Sequence, residues 1–233
     1  MRFSGFVERL QDIRGRIAAA VARGGREQRV EIVAVTKTHG AEAVVAAWEA
    51  GLRIVGENKV QEALAKQDVL REMGRPTVLP EWHLIGHLQR NKAKHAGRFA
   101  LVHSMDSARL ADALHEVGVK GGRQIRVLAQ VNVVGEEAKG GFALSSLHAD
   151  ASRLAALHGI DVVGVMTMAP FDADELMLRA TFAGARKARE VLRDAGLPAH
   201  ELSMGMSNDF EIAVEEGATM VRLGRILFGE RTP

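Results

Sequence analysis

Apolar positions recur along this chain in two different rhythms. Between residues 3 and 23, Phe3, Phe6, Val7, Leu10, Ile13, Ile17, Ala20 and Val21 fall at three- and four-residue spacing, which predicts an amphipathic helix. Gly24-Gly25 stops it. Beyond that point one unit repeats: a short apolar run, a loop, and an amphipathic stretch followed by glycine. The runs "IVAVT", "RVLAQVNV" and "VVGVM" are apolar almost without a break, as parallel strands covered on both faces are. Strands are predicted at 31–37, 53–57, 81–86, 101–106, 126–133, 162–168, 201–207 and 220–224. Helices are predicted between them at 41–50, 58–73, 89–96, 107–117, 145–158, 172–195 and 209–216. Gly51, Gly74, Gly97, Gly118, Gly159, Gly196 and Gly217 sit just past these helices, where a left-handed residue costs glycine least.

Strands alternating with helices, eight times over in 233 residues, point to an α/β fold of the (β/α)8 TIM-barrel type, which takes about 250 residues. The alternative, a doubly wound open sheet, has fewer strands and a glycine-rich turn after the first; "TKTHG" stands there instead. After the eighth strand "RILFGERTP" is too short for a full closing helix, so the extra N-terminal helix is expected to cover that gap. With no linker or low-complexity segment, residues 1–233 read as a single barrel domain.

Composition narrows the function classes. Hydrophobic residues at 47% and charged residues at 26% are ordinary for a globular chain. No apolar run approaches the roughly 18 to 20 residues of a membrane span, and "MRFSGFVERLQDIRGRI" is too charged for a secretory signal. Cysteine is absent, which removes any disulfide framework and suggests a cytoplasmic address. The net charge is +2 and basic residues are scattered; "RNKAKHAGR" at 90–98 reads as a solvated helix face, so no nucleic-acid partner is expected.

Chemistry in a barrel of this kind collects at the C-terminal ends of the strands. Those ends carry Lys37, Glu57-Asn58, His83 to His87, Ser104, Asn132, Thr167, Ser207-Asn208-Asp209 and Arg222 to Arg225. Lys37 ends an apolar strand. There it either turns outward to stay solvated or, partly desolvated, offers an amine nucleophile to a carbonyl. Ser207 or Asn208 is placed to cap the following helix and leave backbone amides facing the mouth. Gly224 allows close approach to a ligand after the eighth strand, and phosphate binding beyond strands seven and eight recurs in this fold. A nucleophilic lysine with a phosphate site suits a ligand bearing both a carbonyl and a phosphate, of which pyridoxal phosphate is the commonest. His83 and His87 have metal-like spacing without a third ligand. His83 reads better as a strand-end residue near the cofactor or a satisfied buried imidazole. Met105, Met166, Met168, Met204 and Met206 read as adaptable packing, with Met206 beside Ser207 placed to line the cofactor ring.

The motifs "VAVTK", "VGENKVQEA", "WHLIGHLQRNK" and "LSMGMSNDFEIAVEEGATMVRLGRILFG", in that order and spacing from about residue 30 to 229, resemble the pyridoxal phosphate homeostasis protein family. The chain is similar, more distantly, to the barrel domain of alanine racemases. The resemblance implies a single-domain barrel that holds pyridoxal 5'-phosphate as a Schiff base on Lys37. It places Asn58 by the ring, Ser207 and the Gly224 backbone on the phosphate, and Arg222 against the pyridine nitrogen. Two departures stand out: Lys59 where the family has Tyr, and "AKGGF" at 138–142 where it has "SKSGF", which keeps Lys139. Arginine donates only, so it would leave the ring nitrogen unprotonated and the ring a weak electron sink.

Three functions compete: a binder that buffers and delivers pyridoxal phosphate, a racemase-like enzyme, and a Schiff-base aldolase acting through Lys37. Racemisation needs a base on each face of the substrate. The related racemases take the second from a tyrosine of a partner's additional domain, whereas this sequence ends shortly after the eighth strand and contains no Tyr. The aldolase lacks an evident acid–base partner beside Lys37. The expectation is therefore a non-catalytic, monomeric pyridoxal phosphate carrier serving intracellular homeostasis, with pyridoxal phosphate-dependent apo-enzymes as partners.

Overall fold

The computed structural model describes residues 3–74, 80–135 and 140–229. Its strands are β1 (Glu31–Val35), β2 (Ile54–Glu57), β3 (Glu81–Leu84), β4 (Leu101–Met105), β5 (Ile125–Asn132), β6 (Phe142–Ala143), β7 (Ile160–Met166), β8 (Glu201–Ser203) and β9 (Met220–Leu223). Eight of them close into a parallel barrel, and the two-residue β6 adds to β5 alone. Closure is made where β1 pairs with both β2 and β9, Val33 standing opposite Ile54 and Arg222, and where β4 pairs with β5. No barrel strand keeps an open edge, which removes the exposed ladder that would template aggregation.

Alternation along each strand sorts the residues between two apolar layers. Val33, Ile54, Leu101, Leu128, Val163, Met166 and Met220 meet in the barrel interior. Their neighbours Ala34, Val55, Val102, Val127, Val165 and Val221 face the surrounding helices in the larger cluster. Both faces are buried, which is why the strands read as continuous apolar runs.

The outer ring consists of α1 (Phe6–Gly24), α2 (Ala41–Glu49), α3 (Val60–Glu72), a 3-10 segment over Arg90–Arg98, α4 (Ala108–Gly121), α5 (Leu147–Ala155), α6 (Glu175–Asp194), α7 (Phe210–Glu215) and the single-turn α8 (Arg225–Phe228). Helix α1 buries Phe6, Leu10, Ile13, Ile17 and Ala20 on one stripe and packs on α7 and α8. It covers the gap left by the short α8, as the pattern predicts. Arg16 donates to Glu211 (2.7 Å), Arg23 to Glu215 (2.6 Å) and Arg9 to the Leu227 carbonyl (2.9 Å), tying α1 to this end of the chain.

Four expectations need correction. The helix expected at 89–96 is a 3-10 segment. Gly118 does not end α4, which runs on to Gly121 with the left-handed Gly122 as its cap. A Cβ on Gly118 would lie 1.8 Å from the Gly159 carbonyl oxygen, so Gly118 is required by close packing, not by a turn. The strands expected to reach Lys37 and Ser207 stop at Val35 and Ser203, and both chemically interesting segments belong to loops. Finally, neither Ser207 nor Asn208 caps the next helix: Asp209 occupies the cap position of α7.

Candidate functional site

A cavity of about 1160 Å³ opens at the C-terminal ends of the strands. Lys37, Asn58, Met206, Ser207, Arg222 and Gly224 all line it. Six residues, from strand β9 and the loops after β1, β2, β8 and β9, thus share one site.

Lys37 is half-buried, in the turn after β1. The next residue, Thr38, is left-handed (φ 67°), an uncommon state for a β-branched residue. Its amide donates to Glu62 Oε1 at 2.5 Å. Beneath the turn, Glu57 Oε1 accepts from Thr36 Oγ1 (2.5 Å) and Lys66 Nζ (2.6 Å). Lys66 also donates to the Thr36 carbonyl at 2.8 Å and Glu62 at 3.1 Å. Glu57 is fully buried, and its Oε2 has no partner among the described residues. Burial pushes the Glu57 carboxyl above the ordinary carboxylate range, with Lys66 and Thr36 pulling against it. This buried ion pair braces the backbone that presents Lys37. Asn58 is seated by Gly86, where a Cβ would fall 2.3 Å from the Asn58 carbonyl oxygen.

The opposite wall comes from the loops after β8 and β9. Asp209 Oδ1 accepts from the Met206 amide at 2.5 Å, and Ser207 Oγ accepts from the Ile226 amide at 3.4 Å, joining the two loops. Burial raises the Asp209 carboxyl, opposed by that amide and by Arg222. Among the described residues the backbone amides of Ser207, Asn208 and Arg225 donate to no protein acceptor. A Cβ on Gly224 would touch Val35 only at ordinary contact distance, 3.4 Å, so protein packing does not demand glycine there.

Arg222 points inward from β9 and is buried. It donates to the Ser203 carbonyl (2.8 Å), Ser203 Oγ (2.7 Å) and the Thr167 carbonyl (2.9 Å). Burial lowers its pKa to about 10, which leaves it a cation at neutral pH.

The remaining strand-end residues separate. His87 lines the mouth and pairs with Asp106 at 3.0 Å, whereas His83 is buried in the barrel against His103. The two do not converge. Ser104 donates to the Gly86 carbonyl, Thr167 to the Val131 carbonyl, and Asn132 accepts from the Gly135 amide; all three serve the backbone. Lys59 is exposed and absent from the cavity lining, and Lys139 lies outside the described residues. Sequence reading missed Asp106, Gln130, Gly140 and Phe171, which also line the cavity. Only the strand-end position of Asp106 offered a signal. Gln130 is held by donating to the carbonyl of Gly140, just before β6, at 2.7 Å.

Known proteins share this sequence and this fold. Residues 9–232 match the family model described as alanine racemase, N-terminal domain. The chain is 40% identical over 227 residues to the pyridoxal phosphate homeostasis protein of Aquifex aeolicus, covering 96% of this chain and 97% of that one. It is 40% identical over 230 residues to the protein of that name from Pseudomonas aeruginosa, covering 98% and 96%. Among solved structures it resembles PipY of Synechococcus elongatus, described with pyridoxal phosphate bound, at 38% identity and a TM-score of 0.83, covering 96% of this chain and all of that one.

Proposed function

The chain belongs to the pyridoxal phosphate homeostasis protein family, and we propose on that premise that it binds pyridoxal 5'-phosphate in this cavity through Lys37. The observation that carries the reading is the convergence of a lysine amine, an arginine and an amide-rich loop pair on one cavity. The residues fit the group. The unused amides of Ser207, Asn208 and Arg225, with the Ser207 hydroxyl, suit phosphate oxygens. Gly224 leaves open the space that a Cβ would occupy. Asn58 and Met206 would hold the ring, and Arg222 would serve its nitrogen. When bound, pyridoxal phosphate supplies an aldehyde that condenses with a lysine amine to a Schiff base, with release of water.

Arg222 donates and never accepts, so it would leave a ring nitrogen beside it unprotonated and would hold the cofactor without strong activation. The function is therefore storage and release: the protein keeps free aldehyde low and hands the cofactor to enzymes that require it. It acts as a cytoplasmic monomer without catalysis of its own. The curated relatives are named as homeostasis proteins rather than enzymes, in keeping with this reading. A racemase-like role is disfavoured because the sequence has no Tyr and, of the two imidazoles that line the cavity, His39 and His87, the latter is engaged by Asp106.

The test is a visible absorption spectrum after reconstitution, then borohydride reduction and peptide mapping. The expected result is a yellow protein whose reduced label maps to Lys37, and a colourless Lys37→Ala variant. A wild-type protein that stays colourless in excess cofactor, or a label on another lysine, overturns the assignment.

A further inference from the structure

Four polar side chains cross the barrel interior in an unbroken line. Arg222 Nη1 stands 2.7 Å from Ser203 Oγ. Ser203 Oγ stands 2.9 Å from His103 Nδ1, and His103 Nε2 stands 2.9 Å from His83 Nδ1. The residues come from β9, β8, β4 and β3, and all four are buried. At the far end, His83 Nε2 faces Glu81 at 3.8 Å, beyond hydrogen-bonding distance. A chain of this cost in an otherwise apolar interior calls for a purpose.

Its direction follows from the donor inventory. Arg222 has no lone pair to offer, so Ser203 Oγ accepts from it. Among the described residues Ser203 Oγ has one other partner, so its hydroxyl proton goes to His103 Nδ1. His103 then carries its proton on Nε2 and donates to His83 Nδ1, and His83 in turn is protonated on Nε2. Each group has one role, and both imidazoles are neutral.

We infer that Ser203, His103 and His83 are positioning residues, a one-way hydrogen-bond chain that fixes the guanidinium of Arg222 where it meets the cofactor cavity. This rests on the proposed binding reading only in taking the cavity-facing partner of Arg222 to be the cofactor ring. Nη1 and Nη2 are both tied to acceptors inside the barrel, so the plane of the guanidinium is set before any ligand enters. Burial keeps both imidazoles uncharged: it holds His103 well below the ordinary histidine range, helped by His83 and Arg222, and lowers His83 against the pull of Glu81. Arg126 and Glu201 are the other charges that bear on His83, and Asp209 is the one that bears on Arg222. A neutral chain leaves the positive charge of Arg222 unopposed from within the barrel, so its effect is directed at the cavity.

The experiment uses cofactor-free protein with 15N-labelled histidine, and long-range 1H–15N correlation spectra between about pH 8 and pH 6. Two of the nine histidines are expected as fixed Nε2–H tautomers that do not titrate. Ser203→Ala, confirmed folded by circular dichroism, moves the His103 Nδ1 resonance. After reconstitution the same variant keeps the Lys37 label, shifts the visible band and weakens cofactor binding about tenfold. His103→Phe, a second variant of similar volume, gives the same band shift. An Nδ1–H tautomer at His103, its titration across that range, or a Ser203→Ala variant with wild-type band and affinity overturns the inference. If wild-type protein takes up no cofactor the binding reading fails, while the tautomer measurement still decides whether the chain exists.

Discussion

Replacing Lys66 by methionine removes the cation that touches the buried carboxylate of Glu57. The side chains are 7% and 0% exposed, and their 2.6 Å contact is braced further by Thr36. Removing one partner of a buried pair strands the other charge and costs about 3–5 kcal/mol, a large part of the roughly 5–15 kcal/mol that stabilises a domain. Water cannot readily compensate, because the Glu57 side chain is fully buried. The pH dependence has a definite sign. Burial raises the folded pKa of Glu57 above its ordinary value of 4.5. Its contribution to stability is thus present below that value and lost as pH rises through the folded one. Without Lys66 the folded pKa climbs further, so the Lys66→Met deficit is largest at pH 8 and shrinks toward pH 5. The double variant Glu57→Met/Lys66→Met leaves no stranded charge and recovers most of the loss. Urea unfolding followed by the fluorescence of Trp48 and Trp82, at both pH values, completes the cycle. A Lys66→Met loss below about 1 kcal/mol at pH 8, a loss independent of pH, or a double variant no better than the single one refutes the reasoning.

Two glycines separate binding from folding. Gly224→Ala places its Cβ at ordinary contact distance from Val35, so thermal unfolding stays within about 1 kcal/mol of wild type while cofactor affinity, read by titration at the visible band, falls about tenfold. Gly118→Ala drives a Cβ into the Gly159 carbonyl and costs about 1–3 kcal/mol in urea unfolding, as overpacking does, with cofactor affinity unchanged.

Barrel class, the covering role of the N-terminal helix and the place of Lys37 at the barrel mouth were legible from the chain alone. Each is written in local order: a short, nearly unbroken apolar run, a helical stripe with period 3.6, or a residue type just past a strand. The resemblance of four motifs then implied a role for Arg222 that strand-end position could not. Helix ends were less legible, since a glycine that stops a helix and one that lets two backbones touch look the same in sequence; Gly118 is the second kind.

What only the tertiary structure decided is the set of partners inside the barrel. Lys66 reaches Glu57 because α3 folds back over β2, and nothing in its helical stripe marks it as buried. His103 meets Ser203 a hundred residues away, and the two meet Arg222 and His83 only once the barrel has closed. The physical reason is that a strand's periodicity fixes which face a side chain takes but not what stands opposite. Closure and register supply the opposite wall, and in a dry interior a polar group must find its partner there. Sequence thus determined which chemistry this protein brings to its cavity, and the closed barrel decided how firmly each group is held and in which direction its protons point.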